Sequence, residues 1–334
     1  MGTTPCLYSR GRSGKPAAKK VRGFLALPGE LRNKIYRYYF ESECRCEVAA
    51  QSSRFDEHRP RIVSLWAGVH HSDTQVLKYE SKVQKESPAT IRISRLLGKY
   101  TIVKGLQTNW FTSLFAINLV CKQIHGETLP FIYKKTTFVF DAPVRITNFL
   151  NVVSKQKLEH ITKLQLHYST YGAPSWTKDR IWQEKHAQSW MRALTQASKR
   201  LVALQTLKIW IALNEYSPSL TLREPWVLPL LQFRRLTCAS KASAECAKDS
   251  ASDLRPKTLK VVDIVFRSRV SGCHFEGNTE LAQASDDLHQ LFGHAISAAI
   301  LAATEEEAMA DFEEAWNGKY QMWQFFLGFG MEHW

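Results

Sequence analysis

The sequence predicts an α+β or α/β protein, with helices first, a strand-helix body next and helices at the end, on three observations. Two helix-period segments, "LPGELRNKIYRYYF" and "NLVCKQIHGETLPFIYKK", lie in the first half, and the second runs straight into the strand-like "TTFVF". Three later stretches, "ITKLQLHYS", "LKIWIAL" and "LKVVDIVF", carry strand patterns separated by helical or loop material. Beyond residue 276 apolar residues recur almost only at helical spacing. This gives an organisation of a basic tail (1–23), a helical module (24–140) with an insertion at 41–113, a strand-helix body (141–276) and C-terminal helices (277–334).

Composition sets the bounds. A chain of 334 residues with 44% apolar content, ten Trp and seventeen Phe can fill a sizeable core. No apolar stretch follows the first Met, and the weakly polar run "LFGHAISAAILAAT" is broken by His294 and too short to cross a bilayer, so secretion and membrane partners are not expected. Seven cysteines, an odd number without framework spacing, fit a reducing compartment, either nucleus or cytoplasm. "MGTTPC" places Cys6 where a myristoylation signal has Ser or Thr.

The net charge of +14 is unevenly spread. Arg10, Arg12, Lys15, Lys19, Lys20 and Arg22 precede any acid, whereas residues 275–334 are acidic with Lys319 as the sole Lys or Arg. Lys19, Lys20 and Arg22 form a nuclear-import candidate, and a solvated, disordered tail explains them equally well. A basic body permits weak, non-specific contact with nucleic acid, although no groove-reading element is recognisable.

Each element has a local reason. Pro28 suits a first helical turn because its missing N–H would be unpaired there, Glu30 complements the positive helix end, and Leu31 and Ile35 lie one turn apart. From 41 to 113 the pattern is irregular and reads as a partly mobile insertion with a strand candidate at "RIVSLW". Ile117, Val120, Cys121, Ile124 and Thr128 share a helical face, Pro130 interrupts it, and "TTFVF" forms a strand. Leu164, Leu166 and Tyr168 alternate with Lys163, Gln165 and His167, and "QSWMRALTQASKRLVAL" is helical. In "LKIWIAL" Leu207, Ile209, Ile211 and Leu213 alternate, while "LKVVDIVF" is apolar on both faces except for Asp263, which needs a partner or a strand end. A parallel or mixed sheet follows, either a degenerate leucine-rich-repeat-like array or an unrepetitive α/β layer. The Ser/Ala-rich loop at 238–256 reads as mobile. At the end, Leu288, Phe292, Ile296 and Ile300 mark one helix. Thr304 and Glu307 form a capping box for a second, which keeps Met309, Phe312 and Trp316 on one side, and the aromatic close "YQMWQFFLGFGMEHW" folds back as a lid.

Catalytic and metal chemistry find little footing. Cys44, Cys46, His58, His70 and His71 match no standard zinc spacing, and Cys273–His274 is no stronger. No glycine-rich phosphate loop, nucleophile elbow or HExxH is present, and His125 lies off the apolar helix face as a surface residue. No enzyme activity, metal or cofactor is expected.

Together "LPGELRNKIYRYYF" and "NLVCKQIHGETLPFIYKKTTFVF" resemble the paired signature of a large filamentous-fungal family of F-box and F-box-like proteins. The match rests on Leu27, Pro28, Glu30, Leu31, Arg32, Asn33, Ile35 and Tyr36, then on Val120, Cys121, Lys122, Gln123, Ile124, Glu127, Tyr133, Phe138 and Phe140. The resemblance implies a substrate receptor of a cullin ubiquitin ligase. Leu27, Pro28, Leu31, Ile35, Val120 and Ile124 would then meet a Skp-type adaptor, and the strand-helix body would hold a protein client. A typical F-box is contiguous, whereas these helices flank an insertion. The alternative is a stand-alone scaffold in which the same residues are core.

Overall fold

The computed structural model describes residues 23–41, 43–50, 52–53, 55, 89–93, 116–171, 177–214, 219–237, 258–268, 275 and 277–329. The expectations for the tail up to residue 22, with Lys19, Lys20 and Arg22, for the strand at 61–66, for the loop at 238–256 and for His58, His70, His71, Cys273 and His274 fall outside these residues. The chain divides into two units, the first ending at Tyr39 and the second beginning at Phe40.

In the first unit a 3-10 turn, Phe24–Ala26, leads into α1 (Gly29–Tyr39). The Pro28 carbonyl accepts from the N–H groups of Leu31 and Arg32, both at 3.1 Å, so Pro28 opens the helix as its lack of an N–H allows. The Arg32 guanidinium reaches back to the carbonyls of Leu25 and Leu27, and the buried Tyr36 ring lies 5.7 Å from Phe24.

The second unit is built on one six-stranded sheet: β1 (Cys44–Val48), β2 (Ala89–Ile93), β3 (Thr136–Phe140), β4 (Lys163–Ser169), β5 (Thr206–Leu213) and β6 (Val261–Ser268). Its order is β2-β1-β3-β4-β5-β6, and every neighbouring pair is parallel. The helices are α2 (Lys122–Lys135), α3 (Pro143–Val152), α4 (Lys155–Leu158), α5 (Thr177–Arg200), α6 (Thr279–Ile300), α7 (Glu305–Asn317) and α8 (Gln324–Leu327). From β3 onward each strand lies beside the one before it in the chain, as in an array, while β1 and β2 sit in reversed order beyond β3.

Several expectations change here. The 41–113 segment supplies β1 and β2 rather than only irregular chain, because both complete a ladder started by β3. Across 140 and 276 the elements are in contact: β3 pairs with β1 and β4 alike, and α6 packs on β6. Pro130 lies inside α2, which continues to Lys135, so the proline removes one backbone donor without ending the helix. The expected continuous face from Ile117 to Thr128 is broken instead upstream. A 3-10 turn, Ala116–Leu119, ends before Val120, and Cys121 caps α2 through its Sγ, 3.5 Å from the Ile124 N–H.

Strand alternation gives the sheet two unlike faces. Phe138, Leu164, Leu166, Tyr168, Leu207, Ile209, Ile211 and Phe266 are buried on one of them. Ring contacts bring helices onto it: Phe149 of α3 with Phe138 and Phe140, Trp190 of α5 with Tyr168, and Phe292 of α6 with Phe266. The opposite face carries Arg92, Arg45, Glu47, Gln165, His167, Lys208, Trp210, Asp263 and Arg267.

The sheet ends at β6 because α6 closes its edge. Val261 donates to the Gln205 carbonyl at 3.0 Å, toward β5, so the intervening Val262 and Ile264 direct their carbonyls outward. Ser297 of α6 donates its hydroxyl to the Val262 carbonyl at 2.8 Å. A Cβ on Gly293 would sit 3.0 Å from the Ile264 carbonyl oxygen, so glycine sets how closely α6 approaches. Covering an edge with a helix removes a template for unwanted strand pairing. Gly293→Leu should therefore destabilise the protein by more than about 2 kcal/mol in urea unfolding. Gly126→Ala, whose Cβ meets open space, should be neutral or stabilise by up to about 1 kcal/mol.

Candidate interaction surfaces

The residues expected to meet an adaptor are distributed unevenly by the fold. In the first unit Leu27 is half-buried and Pro28 exposed, while Leu31 and Ile35 of α1 are 48% and 40% exposed. Tyr38 and Tyr39 add further exposed aromatic surface. Helical periodicity identified α1 correctly, but the side it buries is that of Tyr36. In the second unit Val120, released by the break before α2, is 65% exposed. Ile124 is 4% exposed and belongs to the interior, which corrects its assignment to a docking surface. His125 is half-buried rather than on the surface, with Nδ1 3.2 Å from the Asn118 carbonyl. The α2 start is further fixed by the buried Thr128 hydroxyl, 2.7 Å from the Ile124 carbonyl and 2.8 Å from Asn118 Oδ1.

The second surface is the polar face of the sheet, which the alternation in "KLQLHYS" and "TLKIWIAL" signals but does not assign. Toward β2 it is closed. The Glu47 carboxylate, with no exposed surface, accepts from Arg45 Nε at 2.9 Å and Arg92 Nε at 2.7 Å. The Phe55 ring lies 6.0 and 5.5 Å from the two guanidinium carbons. Two cations around one desolvated anion satisfy a charge that could not be buried alone. Beside them Asp141, directly after β3, accepts from the Ala50 N–H at 3.1 Å and the Ser53 hydroxyl at 2.6 Å. These bonds tie the carboxyl ends of β1 and β3 together where the strand order reverses, the place at which open α/β sheets bind ligands.

Toward β6 the face opens. His167 stacks on Trp210 with ring centroids 5.7 Å apart and planes at 6°, and Lys208 Nζ lies 5.3 Å from the Trp210 ring. Asp263 meets its expected partner in Lys208, at 3.1 Å, and both are solvent-accessible. Val261 is 53% exposed at the start of β6, and Ala212 and Arg267, paired with each other, are exposed toward the other end of β5 and β6. A row of aromatic, cationic and aliphatic side chains on a rigid sheet is suited to an extended peptide.

Cys46 and the Ser268–His289 contact are held in place by their packing. Burial pushes the Cys46 thiol up to about 12, with Cys44 and Glu47 adding to the effect, so it is an inert core thiol. Among the described residues no group of three or more His, Cys, Asp or Glu could hold a metal. Ser268 Oγ lies 2.7 Å from His289 Nε2, and His289 Nδ1 donates to the Ser285 carbonyl at 2.6 Å, which leaves Nε2 as acceptor for the serine hydroxyl. Both side chains are buried, and the imidazole is stacked on Phe266 and edge-on to Phe329, so the contact satisfies a buried histidine rather than presenting a nucleophile. No described helix is long and apolar enough to cross a membrane.

Burial, reinforced by Arg45 and Lys208, lowers the His167 pKa to about 4, with Asp141 opposing. An unfolded histidine titrates near 6.5, so between these values the unfolded chain binds more protons than the folded one, and stability must fall as the pH is lowered. The unfolding free energy from urea titrations should decline from about pH 6.5 to about pH 4, by at most about 3–4 kcal/mol from this group. His167→Gln should flatten that part of the profile.

Comparison with known proteins adds a family. The family model described as "Domain of unknown function (DUF7730)" matches residues 18–228, more than half of the chain. Searches of curated proteins and of solved structures return no match.

Proposed function

The chain belongs to the DUF7730 family, and we propose that it is a protein-protein interaction module of F-box type, a substrate receptor that docks a Skp-type adaptor through α1. The observation that carries the reading is the exposure of Leu31 and Ile35, with Pro28 beside them, on a helix whose burial is met by Tyr36. Apolar side chains grouped on one exposed helix face mark a partner site more often than an idle surface. The open end of the polar sheet face would hold the protein client, without catalysis and without a cofactor. The site of action is the nucleus or the cytoplasm. Weak, salt-labile contact of residues 1–23 with nucleic acid belongs to the same proposal and rests on charge alone.

The second reading, a stand-alone scaffold with no ligase role, is favoured by the burial of Ile124 and by the strand that follows α1 where a contiguous F-box would continue as helix. Binding measurements with a purified Skp-type adaptor separate the two. The adaptor reading expects saturable micromolar binding, weakened at least about tenfold by Leu31→Asp combined with Ile35→Asp, with the melting temperature unchanged because both side chains are exposed. Ile124→Ala should instead cost about 2–4 kcal/mol of stability and leave adaptor affinity intact. Absence of binding by the unaltered chain, or binding indifferent to the α1 substitutions, would leave the scaffold.

A further inference from the structure

A cavity of about 830 Å³ opens in the second unit at the amino-terminal edge of the sheet, where α3 and α5 end and the chain approaches β4 and β6. Its volume lies within the range of small-molecule sites. Val153, Leu158 and Val202 give it an apolar floor. Lys155, Lys199 and Arg200 stand around it, with Glu159 as the acid in the wall.

The charges are unbalanced. Among the described residues Lys155 and Lys199 make no ion pair, and Glu159 pairs with none of the three cations. Arg200 is partly committed, because its guanidinium donates to the Leu150 carbonyl in the last turn of α3. The ends of α3 and α5 also favour cations, each acting as roughly half a negative charge. Even with both helix ends and Glu159 set against the three cations, an excess of about one positive charge remains over the cavity. Like charges gathered at a concave apolar site repel one another unless a counter-charge enters, and a low-dielectric wall strengthens its attraction.

We propose that this cavity binds an organic anion with an apolar body and one phosphate or carboxylate head, the body on Val153, Leu158 and Val202 and the head between Lys155 and Lys199. This site is independent of α1 and of the sheet face. It would make the protein responsive to a small amphipathic metabolite as well as to a protein partner.

The test is calorimetric titration of the full chain with octyl phosphate, octanoate, octylammonium and inorganic phosphate, each below its micellar concentration. Octyl phosphate or octanoate should saturate one site, and whichever binds more tightly identifies the head. Inorganic phosphate should bind at least about tenfold more weakly for want of the apolar contact, and octylammonium should not saturate. Lys155→Glu with Lys199→Glu should weaken the alkyl anion at least about tenfold without lowering the melting temperature, since both lysines are exposed. Val202→Trp, which fills the floor, should weaken it comparably. No saturable binding of either alkyl anion, equal binding of octylammonium, or affinity unchanged in both variants would overturn the proposal.

Discussion

The structure depends on one constraint, the alternation in β4 and β5 that turns apolar side chains to one face of a parallel sheet and mainly polar ones to the other. Parallel sheets are commonly covered on both sides and read as continuous apolar runs. In β4 and β5 the alternation is instead strict, with Leu164, Leu166, Leu207 and Ile209 directed to the helices and Gln165, His167, Lys208 and Trp210 directed away. The polar face must then satisfy its own charges. It does so progressively, from a fully desolvated Glu47 between two arginines to the accessible Lys208–Asp263 pair. The same gradient that makes the β1–β2 end a fixed part of the interior leaves the β5–β6 end accessible to solvent.

Closure of the last edge follows from the same arrangement. With helices on the apolar face, α6 can reach round β6 only where its own side chains are small, and Gly293 and Ser297 stand where the strand carbonyls emerge. The far end of α6 is secured separately. Ala302 adopts φ 80°, a left-handed conformation normally left to glycine, and the Arg234 guanidinium donates to the carbonyls of Ala302 and Ala303 at 3.5 and 3.3 Å. The capping box between Thr304 and Glu307 then starts α7 directly after the turn. Leu327 and Phe329 are buried, Phe329 against His289 of α6 and Trp316 of α7, while Phe325 and Phe326 stay exposed, so the described part of the aromatic close covers on one side only.

How much of this was legible depended on whether the deciding partner was local. The strands β3 to β6, the helices α5 to α7 and the capping box could be read because their periodicity or capping chemistry lies within a dozen residues. β1 and β2 could not, although "CRCEV" and "ATIRI" both alternate, because Glu47 and Arg92 look like solvated charges until the chain brings them together across the insertion. Pro130 misled for a related reason: a proline removes one hydrogen bond, and the tertiary packing around α2 decides whether the helix survives the loss. For α1, spacing revealed a helix but not which side is covered, since Tyr36, Leu31 and Ile35 are all apolar and only contact with Phe24 distinguishes them. The cavity at the ends of α3 and α5 had no sequence signal, being assembled from residues on three separate segments.

The charge distribution adds a final step. Among the ion pairs of the acidic C-terminal helices, Arg223 with Glu305 is largely exposed, and Lys319 with Asp287 lies inside the C-terminal region itself. Exposed pairs of this kind contribute little, and they leave most of the excess of +14 where the sequence put it. At physiological salt such a field decays within about 8 Å, so it can raise the encounter rate of an anionic partner but cannot choose one. Selection must then come from short-range geometry. The molecule offers that at two places where cations border an apolar or aromatic surface, the Lys208–Trp210 row of the sheet and the cavity beside Lys155 and Lys199. Under the proposed function, net charge draws in an anionic partner and these constellations select it by shape.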